Sequence, residues 1–183
     1  MRISPDSSAL AIIEFVTAAG NGGNVVILDR NGKELTRTRV TNNSTEGLAW
    51  SPSGAEIWYA GAIEQGWSDT IYGLARDGKQ RIVFRLPGML RLHDVSRDGR
   101  ILLTREIWRD EVQFRGPGDS RERSLSWLDY ATVDDLSNDG SLLAMEDWGE
   151  AAGASALGFI RKTDGSPAVK LGAWAALLLS PDN

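Results

Sequence analysis

The sequence predicts an all-β fold: four tandem four-stranded antiparallel repeats, read as β-propeller blades. Two observations carry this, a turn motif recurring at blade-length spacing and a short apolar run on either side of each copy. The turn occurs as Ser4-Pro5-Asp6-Ser7, Ser51-Pro52-Ser53-Gly54, Ser96-Arg97-Asp98-Gly99, Ser137-Asn138-Asp139-Gly140 and Ser180-Pro181-Asp182-Asn183. The second positions, at 5, 52, 97, 138 and 181, are 47, 45, 41 and 43 residues apart. A blade takes roughly 40–50 residues.

The composition of the turn follows from its geometry. A type I turn favours Ser, Asp or Asn first and Pro second, whose ring presets φ. The fourth position favours Gly, and Asn tolerates left-handed φ nearly as well. Ser7 fits that position poorly. Each copy reads as the hairpin turn between the first and second strands of a blade. First strands are expected at 48–50, 92–95, 133–136 and 177–179, and second strands at 9–15, 56–60, 101–104 and 142–145. The second strands are nearly continuous apolar runs, which predicts cover on both faces.

A second turn signal lies later in the repeats: Asn31-Gly32, Asp77-Gly78 and Asp164-Gly165. Both residues of such a pair accept positive φ, so they make tight hairpins. They join expected third strands at 25–28, 70–74 and 157–161 to fourth strands at 35–40, 81–86 and 168–171. The third repeat has Gly116-Pro117-Gly118 instead, and its last two strands are expected at 112–114 and 124–127. Repeats are then approximately 1–46, 47–90, 91–130 and 131–175, with 176–183 starting a fifth, all in one domain over 1–183. No stretch shows capped helical periodicity.

Composition narrows the function. Net charge is −5 with no basic block, which argues against nucleic acid as a partner. There are no Cys residues, so disulfides and thiolate metal sites are excluded. No run approaches the ~18 apolar residues of a membrane span, and the first residues lack a signal-peptide apolar core. The chain fits either the cytosol or an extracytoplasmic compartment.

The repeats resemble WD-repeat-like blades of the TolB-like group, where the same turn follows the first strand and an Asp-Gly turn comes late. The second half resembles propeller regions carried C-terminal to bacterial eukaryotic-like serine/threonine kinases. The residues that carry this are Leu92-His93-Asp94-Val95-Ser96-Arg97-Asp98-Gly99-Arg100, Glu122-Arg123-Ser124-Leu125-Ser126-Trp127-Leu128-Asp129 and Arg161-Lys162-Thr163-Asp164-Gly165-Ser166-Pro167-Ala168-Val169. The resemblance implies a sensory or scaffolding module with no catalytic residue and no cofactor, in a larger bacterial protein. No kinase signature occurs in the chain.

The first blade is expected to lack its first strand, and 176–179 to be an orphan one. Either the orphan closes a four-bladed ring, or the chain is an arc of a propeller of six to eight blades; the usual size of the family favours the arc. An arc has open blade edges, which would promote self-association.

In a blade, the second-to-third and fourth-to-first loops leave on the face opposite the tight turns. Here those loops are aromatic and acidic: Trp67-Ser68-Asp69, Trp108-Arg109-Asp110, Trp127-Leu128-Asp129-Tyr130 and Asp147-Trp148-Gly149-Glu150, with Asn42-Asn43-Ser44-Thr45-Glu46 beside them. The candidate binding face is therefore Trp67, Asp69, Trp108, Asp110, Asp129, Tyr130, Asp147, Trp148 and Glu150, suited to a protein or peptide partner. The competing reading wedges these Trp between blades. Trp50 and Trp58, in strands, are expected in the core.

Other chemistry is weaker. His93 is the sole histidine, with no nucleophile elbow to serve, and is expected to bond the local backbone. Glu14, Glu106 and Glu146 recur at one repeat position, which reads as a repeat feature rather than a glycosidase pair. The stretch from Asp135 to Gly140 lacks the oxygen spacing of a calcium loop. A substrate-gating propeller of a prolyl-oligopeptidase-type peptidase and a carbohydrate-active propeller are the alternatives to a binding module.

Overall fold

The computed structural model describes residues 1–16, 20–63, 67–152, 155–173 and 178–180. It is nearly all β, with antiparallel sheets in chain order and one short 3-10 turn, Glu150–Ala152. Among the described residues no helix is long and apolar enough to cross a membrane. The sequence reading takes 1–183 as one domain; the chain divides into two compact units, Met1–Ile107 and Trp108–Asn183.

In the first unit, β1 (Arg2–Ile3), β2 (Ala9–Phe15), β3 (Gly23–Asp29) and β4 (Glu34–Arg37) form one four-stranded sheet. The first blade thus has a first strand, contrary to expectation: Arg2 and Ile3 pair with Ala11 and Leu10. Two residues are too few to read as a strand by periodicity. The second sheet is β5 (Ser44–Trp50), β6 (Glu56–Ala62), β7 (Thr70–Ala75) and β8 (Gln80–Arg85). A two-stranded pair, β9 (Met89–Val95) and β10 (Ile101–Glu106), completes the unit.

Side chains alternate across a strand, so a sheet can bury both faces. The second blade does so. Leu48, Trp50, Ile57, Tyr59, Tyr72 and Leu74 meet Ala9, Ala11, Val25 and Ile27 of the first blade. On the other face Ala49, Ala60 and Ile71 meet Leu90 and Leu92 of β9. Each large side chain so buried stabilises the unit by about 1.5–3 kcal/mol. Cover on both faces holds for β6, whereas Ile101 and Leu102 of β10 are exposed.

In the second unit, β11 (Gln113–Phe114) and β12 (Arg123–Ser124) form a short hairpin. The last sheet is β13 (Ala131–Leu136), β14 (Leu142–Asp147), β15 (Leu157–Lys162) and β16 (Val169–Ala173). Val112 and Leu125 beside the hairpin pack with Ala131, Leu143, Met145 and Phe159 of that sheet. Three repeats are therefore four-stranded meanders, and the third is laid out as two pairs, β9–β10 and β11–β12. In the final stretch, residues 178–180 are described, and the Leu179 N–H donates to Asp135 Oδ2 at 2.9 Å. The rest of the expected fifth first strand, 176–177, and the last turn, 181–183, lie outside the described residues.

The recurrent turns close on themselves. In the fourth repeat the Gly140 N–H donates to the Ser137 carbonyl (2.8 Å) and Ser137 Oγ donates to Asp139 Oδ1 (2.7 Å). Ser137 Oγ then accepts from the Leu142 N–H (2.9 Å), so the first Ser spans the whole turn. Ser4 and Asp6 repeat the arrangement, with Ala9 N–H donating to Ser4 Oγ at 2.9 Å. Gly54, Gly99 and Gly140 hold the fourth position at positive φ, and Ser7 does the same at φ 54°.

A second periodicity appears only in three dimensions. Each first strand from the second repeat onward has one unmatched residue: Gly47, His93 and Asp134. The fourth strands β4, β8 and β16 have Leu35, Val83 and Leu171 unmatched. Bulges on outermost strands bend and blunt an edge that would otherwise template pairing.

Candidate functional site

The loops opposite the tight turns are built differently in the two units. In the first unit Ser68 is fully buried, its hydroxyl donating to the Leu90 carbonyl at 2.8 Å. That anchor turns Trp67 and Asp69 outward. Trp67 is 40% exposed, and Asp69 Oδ1 accepts from its neighbour Thr70 at 2.6 Å. The stretch 42–46 does not join them as a loop. Asn42 is buried, exchanging backbone bonds with Gly23, and Ser44 and Thr45 are buried in β5. The polar run that reads as a loop is instead an internal hydrogen-bonded seam; Asn42 Nδ2 and Thr45 Oγ1 both donate to the Gly23 carbonyl at 3.2 Å.

In the second unit three loops converge. Asp110 and Tyr130 form an isolated parallel bridge, with the Asp110 N–H donating to the Asp129 carbonyl at 3.3 Å. Trp148 N–H donates to the Tyr130 carbonyl at 2.9 Å. The Trp108 and Tyr130 rings meet edge to face, centroids 6.0 Å apart and planes at 80°. Trp148 Nε1 donates to Glu146 Oε2 at 3.0 Å. Trp108 is 51% exposed and Trp148 40%, while Asp110 and Asp129 are open to solvent.

Asp147 plays another part. It is fully buried, its carboxylate accepting from the Gly149 N–H (2.8 Å) and the Tyr130 N–H (3.2 Å). Burial raises its carboxyl above the ordinary carboxylate range, and the charge of Asp129 adds to that, against the two backbone donors. The side chain brackets one loop to the next instead of facing a partner. Gly149 is required there: a Cβ would lie 2.9 Å from Asp129 Cβ and 3.0 Å from Asp147 Oδ1. Glu150 opens the 3-10 turn, and its side chain lies outside the described set.

Six candidates thus gather in the second unit: Trp108, Asp110, Asp129, Tyr130, Asp147 and Trp148. Trp67 and Asp69 belong to the first. Glu146, which steadies the Trp148 indole, was recognised in the sequence only as a recurrent carboxylate. Its two-residue offset on one strand face is the signal that pairs it with Trp148. Trp50 is buried, and Trp58 packs against the core with Nε1 donating to Glu56 Oε2, as expected.

Glu14 is taken by Arg37 at 2.9 Å, and Glu146 holds Trp148. His93 Nε2 lies 2.7 Å from Thr104 Oγ1 across the β9–β10 pair, rather than bonding the local backbone, because the bulge at His93 sets its ring against the facing strand. Among the described residues no cluster of His, Asp or Glu could hold a metal ion.

No family model matches the sequence, and no curated protein does. Among solved structures the chain is similar to TolB from Acinetobacter baumannii, at 16% identity over 90% of this chain and 41% of that one, with a TM-score of 0.35. It is also similar to the Cps50 (Swd1) β-propeller domain of Myceliophteria thermophila, at 14% identity over 90% of this chain and 59% of that one, with a TM-score of 0.32. The chain spans less than two thirds of either. The blade reading rests on the repeated sheets and turns themselves, not on these likenesses.

Proposed function

We propose that the chain is a non-catalytic binding module that presents its loop face to a protein or peptide partner. The observation that carries this is an asymmetry between the two ends of the sheets. The tight-turn ends satisfy their own polar groups, Ser137 and Asp139 within one turn. The loop ends leave Trp108 and Trp148 about half exposed around Tyr130. Large aromatic side chains with few rotors are favoured anchors of protein interfaces.

The resemblance of the second half to kinase-linked propeller regions supports a sensory or scaffolding place in a larger bacterial protein. The test is a pull-down from the source organism with the full chain and its Trp67→Ala/Trp108→Ala/Trp148→Ala variant, both checked by thermal melting. A partner retained by the wild type and lost by the folded variant supports the reading; equal recovery overturns it.

A further inference from the structure

The chain holds two Asn-Gly pairs, Asn21-Gly22 and Asn31-Gly32, and the fold treats them differently. In such a pair the uncrowded glycine nitrogen can attack the neighbouring Asn Cγ and close a five-membered ring, provided the backbone between them can turn. At Asn21 the backbone is held from both sides. The Asn21 carbonyl accepts from the Thr45 N–H at 2.9 Å and the Gly22 carbonyl from the Val16 N–H at 3.1 Å. A Cβ on Gly22 would lie 3.0 Å from the carbonyl oxygens of Asn42 and of Asn43, so the seam leaves that peptide no room to swing.

Asn31 is at the exposed tip between β3 and β4, and nothing lies within 4 Å of where a Gly32 Cβ would be. Asp29 closes this turn, its Oδ1 accepting from the N–H groups of Asn31 (2.8 Å) and Lys33 (2.9 Å). In the sister turns the residue before the glycine does this itself: Asp77 Oδ1 accepts from the Lys79 N–H at 3.0 Å and Asp164 Oδ1 from the Ser166 N–H at 2.8 Å. Lys79 and Ser166 hold those two carboxyls below the ordinary range, and an ionised carboxylate is a poor electrophile. Among the described residues the Asn31 carboxamide takes no such bond. The Gly32 N–H donates to the Asp29 carbonyl at 3.1 Å, an exposed bond beside a four-residue outer strand, of the kind that opens locally at low cost.

We propose that Asn31 is a site of spontaneous deamidation. In the opened turn the Gly32 nitrogen gives its proton to solvent base and attacks Asn31 Cγ. The N–Cγ bond forms, the Cγ–Nδ2 bond breaks, and Nδ2 leaves as ammonia, taking a proton from water. A water molecule then opens the succinimide at one of its two carbonyls. One opening leaves aspartate, the residue that the sister turns already carry. The other leaves isoaspartate, which puts the side-chain carbon into the backbone. The lengthened turn no longer matches the Asp29 N–H to the Lys33 carbonyl (2.8 Å), and β4, paired to β3 at three positions, loosens.

The test holds the full chain in mildly alkaline buffer, folded in one arm and unfolded in urea in the other. Peptide mapping by mass spectrometry follows deamidation and isoaspartate at both pairs. In the folded arm Asn31 converts about tenfold or more faster than Asn21, with a gain of negative charge on isoelectric focusing and a rate that rises with pH. In urea the two rates converge, since only the fold separates the pairs. Asn31→Asp keeps the wild-type urea midpoint, while the aged fraction carrying isoaspartate unfolds at lower urea. Equal rates in the folded chain, Asn21 reacting faster, or a difference that persists undiminished in urea overturns the inference. An isoaspartate fraction that unfolds like fresh chain overturns the loosening of β4.

Discussion

Arg161, on β15, donates from Nη1 to the Leu125 carbonyl at 2.7 Å, tying the last sheet to the chain that leaves the β11–β12 hairpin. The same nitrogen donates to the Ser126 carbonyl at 2.7 Å, Nε to Ser166 O at 3.0 Å and Nη2 to Gly165 O at 3.2 Å. Arg161 is 8% exposed and Leu125 is fully buried, so without the guanidinium the Leu125 carbonyl loses a partner in a dry setting.

Removing it therefore costs more than a surface arginine would. Arg161→Ala should destabilise the second unit by about 3 kcal/mol, and Arg161→Lys by about 2 kcal/mol, since a single ammonium cannot reach the four carbonyls that Nε, Nη1 and Nη2 serve. Urea unfolding followed by Trp fluorescence reads both. A loss below 1 kcal/mol for the alanine variant, about the surface value, would contradict the clamp.

Ser7 is the one described non-glycine residue at positive φ, at 54°, in the position held by Gly54, Gly99 and Gly140 in the other turns. Left-handed backbone costs an L-residue about 1–2 kcal/mol, and glycine loses about 0.5–1 kcal/mol of unfolded-state freedom. Ser7→Gly should thus stabilise by about 0.5 kcal/mol. Gly140→Ala, whose Cβ would meet nothing within 4 Å, should cost about 1 kcal/mol through φ alone. Urea midpoints measured side by side test the pair, and a destabilised Ser7→Gly protein would refute the account.

Gly47 is a harsher case. At φ 77° its added Cβ would sit 1.8 Å from the Leu92 carbonyl oxygen, where the β5 bulge lies against β9. Backbone stands on both sides, so no side chain can yield. Gly47→Ala should cost about 3 kcal/mol or more and broaden thermal unfolding of the first unit. A melt like the wild type's would mean that β9 can withdraw from β5 freely.

Acid should loosen the turns first. The Asp6 carboxyl lies well below the ordinary range, held down by the Ser4 hydroxyl and then by Ser8 and Arg76; Ser137 and Ser141 do the same for Asp139. A carboxyl depressed in the folded state contributes stability that is present above its unfolded pKa and lost as pH falls through the folded one. Asp147, raised by burial, runs the other way, and its protonation favours the folded chain. Asp6→Asn and Asp139→Asn should each lower stability at neutral pH and flatten its decline between about pH 5 and 2. Urea midpoints across that range measure it; parallel curves for variants and wild type would count against the turn bonds.

The fold was legible where its determinants are local. Ser137, Asp139 and Gly140 complete their bonds within a few residues, so spacing alone located the hairpins. The bulges at Leu35, Val83 and Leu171 were not, because any residue type can be skipped when register is set by the facing strand. The site was half legible. Trp108 and Trp148 stand out by composition in loops. The burial of Asp147 depends on backbone donors from Tyr130 and Gly149, contacts across sequence that no motif announces. In the third repeat the last two strands lie close to where the sequence places them, but their separation from β9–β10 as a second pair was not legible; the Gly116-Pro117-Gly118 stretch is closed by Asp119, which accepts from the Gly116 N–H at 2.9 Å.

The self-contained turns also bear on the order in which the protein is made. Ser4 closes its hairpin onto Ala9, and Ser137 onto Leu142, without help from any other repeat. Such hairpins form in roughly 1–10 microseconds, while a chain leaves its synthesis machinery at about 5–20 residues per second. Each blade can therefore seed its first two strands before the next is synthesised, and neighbours assemble on nuclei already in register.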